Sequence, residues 1–163
     1  MQRKITTFLT FDGRAEEAVD FYTSIFENSR ILSTTRYEAG GPGPEGQLMS
    51  ATLELAGQEF MALNGGPSFK FSQGISLYVD CEDQEEVDEL WEKLTDGGEP
   101  GPCGWLTDRF GVSWQIIPRA LGELLADADR DKAGRVMQAM LQMSKIEIEG
   151  LRRAYGGAAA SLP

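Results

Sequence analysis

The side chains of this chain that could do chemistry are few, and one usual kind is absent: there is no histidine among its 163 residues. General-base work therefore falls to carboxylates, and metal binding loses its commonest nitrogen ligand. Glu54 is the candidate catalytic carboxylate. It stands in the alternating run "LMSATLEL", where the other members of its face are neutral. A carboxylate partly buried there would hold its proton more tightly and could act as a base. The plainer reading of Glu54 is a solvated residue of an edge strand. Cys81 and Cys103 are candidate nucleophiles. No histidine can lower a thiol pKa by pairing, and Cys81 sits among Asp80, Glu82 and Asp83, so an inert thiol is expected. The acidic run from Glu82 to Glu92 has the composition of a cation site. Acidic residues also favour the first turn and the solvated face of a helix, which accounts for the run without a cation.

These groups must be held by strands and helices, and the pattern predicts both. Residues 4 to 11 alternate, with Ile5, Thr7, Leu9 and Phe11 on one face and Thr6, Phe8 and Thr10 on the other. Asp12-Gly13 breaks this strand and can cap a helix. Ala18, Phe21, Tyr22, Ile25 and Phe26 recur at helical spacing over 14 to 27. Strands are predicted over 30 to 38, 48 to 56 and 59 to 64, with a Gly- and Pro-rich loop over 39 to 46. The order then repeats. A strand over about 74 to 80 leads into a helix over about 83 to 95, striped by Val87, Leu90, Trp91 and Leu94. Asp83 and Glu86 fit an acidic capping box. The turn-rich "DGGEPGPCG" precedes short strands near 105 to 108 and 112 to 117, and Pro118 ends the last. Leu9, Phe11 and Asp12 match Leu77, Val79 and Asp80; Glu16 and Glu17 match Glu85 and Glu86, one residue further on.

A third segment, 119 to 155, predicts helix. Met137, Met140, Leu141, Ser144, Ile148, Leu151 and Tyr155 would lie on one stripe. That stripe must pack on its own domain or on a second subunit, and a homodimer whose interface includes it or the neighbouring sheet edges is expected. Residues 1–118 are expected to form one domain of two modules, about 4–66 and 73–118. Residues 119–155 form a helical extension and 156–163 a frayed tail. The fold class is α+β.

Composition excludes several roles. The net charge of −11 opposes non-specific binding to nucleic acid. No apolar run approaches ~20 residues, so no membrane-spanning helix is expected. The start "MQRKITTF" has no apolar h-region, and two cysteines are too few for a disulfide framework, so a cytoplasmic protein with reduced thiols is expected. None of the Gly-rich stretches carries GxGxxG or GxxxxGK[ST] ahead of a helix, so they read as turns.

The segments "FLTFDGRAEEAVDFY", "FMALNGGP", "GISLYVDCEDQEEVDELW", "CGWLTDRFGVSWQIIP" and "KAGRVMQAMLQMSKIEI" resemble the vicinal oxygen chelate superfamily. The closer likeness is to its PhnB-like branch, labelled 3-demethylubiquinone-9 3-methyltransferase. The resemblance implies two tandem βαβββ modules whose strands curve around a shared cleft. Where a metal is present in that superfamily, His and Glu from the first and last strands of each module hold it. Here those positions fall at Thr6, near Gly74, at Gln115 in "SWQII", and at Ala62 or Asn64. This set suits zinc, nickel or iron poorly, so no metal is expected. No Gly-rich strand-to-helix loop is present to hold S-adenosylmethionine, and no cofactor is expected.

If the strands line a cleft, alternation gives the lining. The candidate ligand-binding residues are Thr6, Phe8, Thr10, Asn64, Ser76, Tyr78, Trp105 and Gln115. Ser50, Thr52, Glu54, Phe60, Ala62 and Ser113 are expected on the same faces. Aromatics would hold the apolar body of a ligand, and hydroxyls and amides its polar groups. The function expected is binding of a small, partly apolar molecule without a catalytic metal. The alternatives are a methyltransferase, a metal-independent lyase or isomerase using Glu54, and a non-catalytic structural or regulatory module.

Overall fold

Alternation in a strand followed at once by a 3.6-residue stripe makes a helix that covers one face of a sheet, and the chain does this twice. The structure is a computed structural model that describes residues 3–157. The chain divides between Lys70 and Phe71 into two units. The first holds β1 (Thr7–Phe11), α1 (Ala15–Ile25), β2 (Arg30–Arg36), β3 (Leu48–Leu55) and β4 (Gln58–Asn64). Its sheet runs β1-β4-β3-β2, with β1 parallel to β4 and the other pairs antiparallel. The second holds β5 (Leu77–Cys81), α2 (Gln84–Thr95), β6 (Glu99–Pro100), β7 (Trp105–Thr107) and β8 (Ser113–Pro118). Its sheet runs β5-β8-β7-β6, again with the first and last strands parallel. Two tandem βαβββ modules are therefore present, each an open four-stranded sheet. The two-residue strand β6 lies in a stretch read from sequence as turns only.

Each helix buries part of its predicted stripe, while Phe21, Ile25 and Trp91 stay half-buried. Ala15, Ala18, Val19 and Tyr22 of α1 are buried with Leu9, Phe11, Ala51, Leu53, Phe60 and Ala62 of the first unit. Val87, Leu90 and Leu94 of α2 are buried with Leu106, Trp114 and Ile116 of the second. The caps differ. Asp83 accepts from the Glu86 backbone N–H at 2.9 Å, and the Glu86 carboxylate reaches back to the Glu82 N–H at 2.6 Å. Asp12 does not cap α1; the Ala15 N–H is met instead by Asn64 Oδ1 at 2.9 Å.

The parallel pairs fix how the two copies correspond. Phe11 pairs with Asn64 and Cys81 with Pro118, each at the end of its first strand. Counting back, Leu9 corresponds to Val79, Phe8 to Tyr78 and Thr6 to Ser76. The sequence match of Leu9 to Leu77 is thus two residues out of step. A slip of two leaves an alternating pattern unchanged, so hydrophobicity cannot detect it. The cause is the connection to the helix, which is one residue shorter in the second copy.

The hairpin between β7 and β8 is held by one buried carboxylate. Asp108 is 3% exposed. Its Oδ1 accepts from the backbone N–H groups of Phe110 and Val112 at 2.9 and 3.0 Å, and its Oδ2 accepts from the Trp114 indole at 2.8 Å. The turn closes with Gly111, at φ 90°, whose N–H donates to the Asp108 carbonyl.

The C-terminal segment is three helices rather than one: α3 (Arg119–Leu125), α4 (Arg130–Leu141) and α5 (Ile148–Tyr155). Asp129 starts α4 by accepting from the N–H groups of Asp131 and Lys132. The break over residues 142–147 resets the helical phase, so the stripe read across it does not exist as one face. Ile148 and Leu151 are buried and Met140 and Tyr155 half-buried, while Met137 and Leu141 are exposed. The buried face of α4 is Ala133, Val136 and Ala139. Val136, Ile146 and Leu151 form a core with Ile117 and Leu121 of the same unit. Much of the apolar surface assigned to a second subunit is therefore satisfied within the chain. The break ties the helices to the module: Cys103 and Gly104 donate to the carbonyls of Met143 and Ser144 at 2.8 and 2.7 Å. Gln84 bridges the Ile146 carbonyl and the Ile148 N–H. The expected tail lies outside the described residues from 158 onward.

Three outcomes follow from this packing. Leu151→Ala should cost about 2–5 kcal/mol of the second unit's stability, whereas exposed Leu141→Ala should change it by less than about 0.5 kcal/mol. Urea unfolding followed by tryptophan emission reads this unit alone, since Trp91, Trp105 and Trp114 all lie in it. Asp108→Asn places an NH2 group against donors and should cost about 1–3 kcal/mol, read the same way and as a moved Trp114 indole resonance. The third outcome concerns pH. The Lys145 ammonium, 2.8 Å from Asp88, and the Gln84 amide hold the Asp88 carboxyl below its ordinary value. The Tyr155 hydroxyl and the Asp129 N–H do the same for Asp127. A depressed folded pKa gives stability that is complete above the unfolded value, about 3.9, and is lost as pH falls through the folded one. The stability gap between the wild type and the Asp88→Asn, Asp127→Asn variant should shrink as pH is lowered from about 5 to about 3. A constant gap would remove both carboxylates from the acid response.

Candidate functional site

In the second unit the face of the sheet opposite α2 carries a row of three side chains. Tyr78 of β5 pairs with Gln115 of β8, and Gln115 pairs with Trp105 of β7. Alternation puts their neighbours Leu77, Trp114 and Leu106 on the helix side, where Trp114 and Leu106 are buried. Tyr78 is 59% exposed; Trp105 and Gln115 are half-buried. Gln115 Nε2 donates to Ser76 Oγ at 2.9 Å. Ser76, Tyr78, Trp105 and Gln115 are thus brought together by one sheet. Ser113 and Thr107, paired across β8 and β7, flank the row on one side. On the other side Ile117 is buried in the C-terminal helical core. Asp80, next after Tyr78 on its face, is held by Arg119 through Nε and Nη2 at 3.2 and 3.1 Å. Burial first, and then the nearby Asp80, raises the Tyr78 hydroxyl pKa, so the phenol stays protonated well above neutral pH.

The segment leading into Trp105 is set by the C-terminal helices. Ser144 Oγ donates to the Gly101 carbonyl at 2.7 Å. Gly104, at φ 82°, leaves no room for a Cβ, which would meet Ile117 Cδ1 at 2.7 Å and the Ile116 carbonyl at 3.0 Å. Gly104 is required both by its backbone angle and by this close approach.

The first unit carries a corresponding row on the face away from α1: Phe8 pairs with Met61, and Met61 with Thr52. Phe8 is 49% exposed. Thr10 pairs with Leu63 on the same face, and Thr6 lies half-buried just before β1. The fourth strand faces opposite to the sequence expectation. Phe60 and Ala62 are buried on the helix side, and Met61 and Leu63 take the other face. The run "FMAL" is apolar at every position, so alternation could not choose between them; the register of β1 on β4 does. Asn64 shares the helix side. Its Oδ1 is taken by the Ala15 N–H and its Nδ2 by the Leu48 carbonyl, both at 2.9 Å. Its amide is thus committed to joining α1, β3 and β4.

Glu54 does not have neutral neighbours. Glu59 stands directly opposite it across β3 and β4, and Arg30 Nε lies 3.5 Å from its carboxylate. The sequence missed both because they come from other strands. Cys81 is fully buried, and burial, with the carboxylates of Glu86, Asp80 and Asp83, pushes its thiol up to about 12. A thiol so placed supplies no thiolate at neutral pH.

The strand correspondence also relocates the positions that would hold a metal. The partner of Thr6 is Ser76 rather than Gly74, which lies in a turn ahead of β5. The partner of Gln115 is Met61 rather than Ala62 or Asn64. Thr6 and Met61 in the first unit, and Ser76 and Gln115 in the second, are all uncharged, and neither pair has the thiolate, imidazole or carboxylate donors that zinc or manganese favours. Among the described residues no group of three or more His, Cys, Asp or Glu side chains is placed to hold a metal ion.

The family described as 3-demethylubiquinone-9 3-methyltransferase matches residues 3–117. A PhnB protein from Bacillus cereus with the same description is 45% identical, covering 71% of this chain and 99% of its own, with a TM-score of 0.66. A Pseudomonas aeruginosa protein of known structure is 23% identical, covering 72% of this chain and 98% of its own, with a TM-score of 0.59. The fosfomycin resistance protein FosX from Listeria monocytogenes is 16% identical, covering 76% and 98%, with a TM-score of 0.52. These last two show a shared fold alone. No curated protein matches the chain. The family match stops at β8, so α3, α4 and α5 lie beyond it. With the duplicated βαβββ architecture, these matches show that the chain belongs to the PhnB-like 3-demethylubiquinone-9 3-methyltransferase family of the vicinal oxygen chelate superfamily.

Proposed function

We propose that the chain binds a small, partly apolar molecule on the sheet face that carries Tyr78, Gln115 and Trp105, without a catalytic metal or cofactor. The observation that carries this reading is that row itself. Two aromatic side chains flank an amide whose hydrogen-bonding position is fixed by Ser76. A ligand site needs this combination of apolar walls and a few oriented polar groups. The metal-free reading is supported by the donors at Thr6, Met61, Ser76 and Gln115, none of which is charged. Residues 1–118 would form the binding domain and 119–155 its extension.

Binding is preferred to methyl transfer because the strand-to-helix turns are short and lack the Gly-rich loop that commonly holds S-adenosylmethionine. A lyase or isomerase role for Glu54 is weakened by its ion pair with Arg30. The protein is proposed to act as a cytoplasmic homodimer. Its two cysteines are unpaired, and the strand β2 is exposed along its whole length, with Ile31 and Leu32 among its residues. Such an edge is open to pairing with a second chain.

Native mass spectrometry of the purified protein, with elemental analysis, tests the whole reading. The expected result is twice the 17.9 kDa chain mass, a co-purified small molecule lost from a Gln115→Leu variant, and no stoichiometric transition metal. One equivalent of zinc, manganese, nickel or iron would overturn the metal-free reading, and a monomer at micromolar concentration the dimer.

A further inference from the structure

The charge on the row and its surroundings narrows the ligand class, on the reading that this face is the binding site. The four strands of the second sheet contain no lysine or arginine. Their only charged side chains on this face are acidic: Asp80, and Glu99, which pairs with Thr107 at the sheet's far edge. The basic residue that follows, Arg119, is paired with Asp80 through Nε and Nη2. A carboxylate, phosphate or phosphonate brought here would lose water and meet no lysine or arginine on these strands. The protonated Tyr78 phenol adds no charge of its own.

The polar pair at the centre is equally specific. Gln115 Nε2 donates to Ser76 Oγ, which leaves the Ser76 hydroxyl hydrogen, the second amide hydrogen and Gln115 Oε1 for a ligand. Turning the amide over exchanges these roles, and the pair still presents donors beside an acceptor. Tyr78 and Trp105 stand one strand to either side of Gln115, roughly 10 Å apart along the sheet, which leaves space for a single ring between them. Growth of the ligand along β8 is stopped by Ile117, roughly 7 Å further on, which is buried under the C-terminal helices. At the other end of the row Ser113 is buried and its neighbour Thr107 half-buried.

We propose that this face recognises an uncharged, planar ligand with an amide-type edge, one hydrogen-bond acceptor beside one donor, and refuses anionic ligands of the same shape. Two-dimensional NMR of the full, 15N-labelled chain tests this with three probes that share a ring: benzamide, benzoate and phenylphosphonate. The readouts are the Trp105 indole and the Gln115 side-chain amide, with the Trp114 indole on Asp108 as a control for folding. Benzamide should move both readouts to saturation at millimolar concentration, with the two anions at least about tenfold weaker. Ser76→Ala, which lies outside the strand, should weaken benzamide by a few-fold, and Gln115→Leu by about tenfold, as read at Trp105 with the Trp114 control unmoved. Saturation by benzoate or phenylphosphonate at or below the benzamide concentration overturns the ligand class while leaving the site. If no probe moves either readout at roughly 50 mM, the site itself falls, and the class with it.

Discussion

The arrangement of the second unit depends on one buried carboxylate. Asp108 could only be buried because three donors meet it, two from the backbone of its own turn and one from the Trp114 indole. The bonds to Phe110 and Val112 fold the chain back at a fixed point, and so fix which residue of β7 faces which residue of β8. The bond to Trp114 pins that side chain on the helix side. Because strand residues alternate, pinning Trp114 inward sends Gln115 outward, and the register set by the turn puts Trp105 beside it. A one-residue slip here would bury Gln115 and expose Trp114, which loses both an apolar contact and a satisfied indole. The position of the row is thus an outcome of satisfying a charge elsewhere.

The C-terminal helices add a second constraint on the same strands. They lie beyond the stretch shared with the family, yet they are bonded through backbone groups to the residues just before Trp105. Gly104 is where the two meet. Its missing side chain lets Ile117 and Ile146 close over it, and its left-handed backbone turns the chain into β7. Such an approach is unforgiving, since a single added carbon would contact atoms that cannot retreat from a packed core. Trp105 is therefore held from one side by the hairpin that Asp108 organises and from the other by helices with a core of their own.

The strands, the first two helices and the duplication were legible because each rests on local periodicity: alternation for β1, β3 and β8, the three-and-four spacing for α1 and α2. Four of the candidate ligand residues, Ser76, Tyr78, Trp105 and Gln115, are gathered by one sheet for the same reason. What was not legible depended on partners distant in sequence. The face of β4 is set by its parallel register on β1, and its uniformly apolar residues carry no sign of it. The commitment of Asn64 to α1, and of Glu54 to Arg30, needs the strands already assembled. The stripe over residues 137–155 failed because periodicity assumes an unbroken helix, and "QMSKIE" contains no proline or glycine to announce the break.

The corrected correspondence between the modules also separates what the fold requires from what the chemistry uses. Thr6 and Ser76 both offer a hydroxyl, and Phe8 and Tyr78 both offer a ring, so these positions have kept their character across the duplication. The other two have diverged: Met61 against Gln115, and Thr52 against Trp105. The structural demand on all of them is the same, a side chain on the face away from the helix, so packing alone does not explain the difference. In the first unit the row has a thioether at its centre, which makes weak and undirected contacts. In the second it has an amide held by a hydroxyl and walled by two rings, which orients whatever it touches. The oriented polar pair thus lies in the second module, and that is also the module which the hairpin carboxylate and the C-terminal helices hold in place.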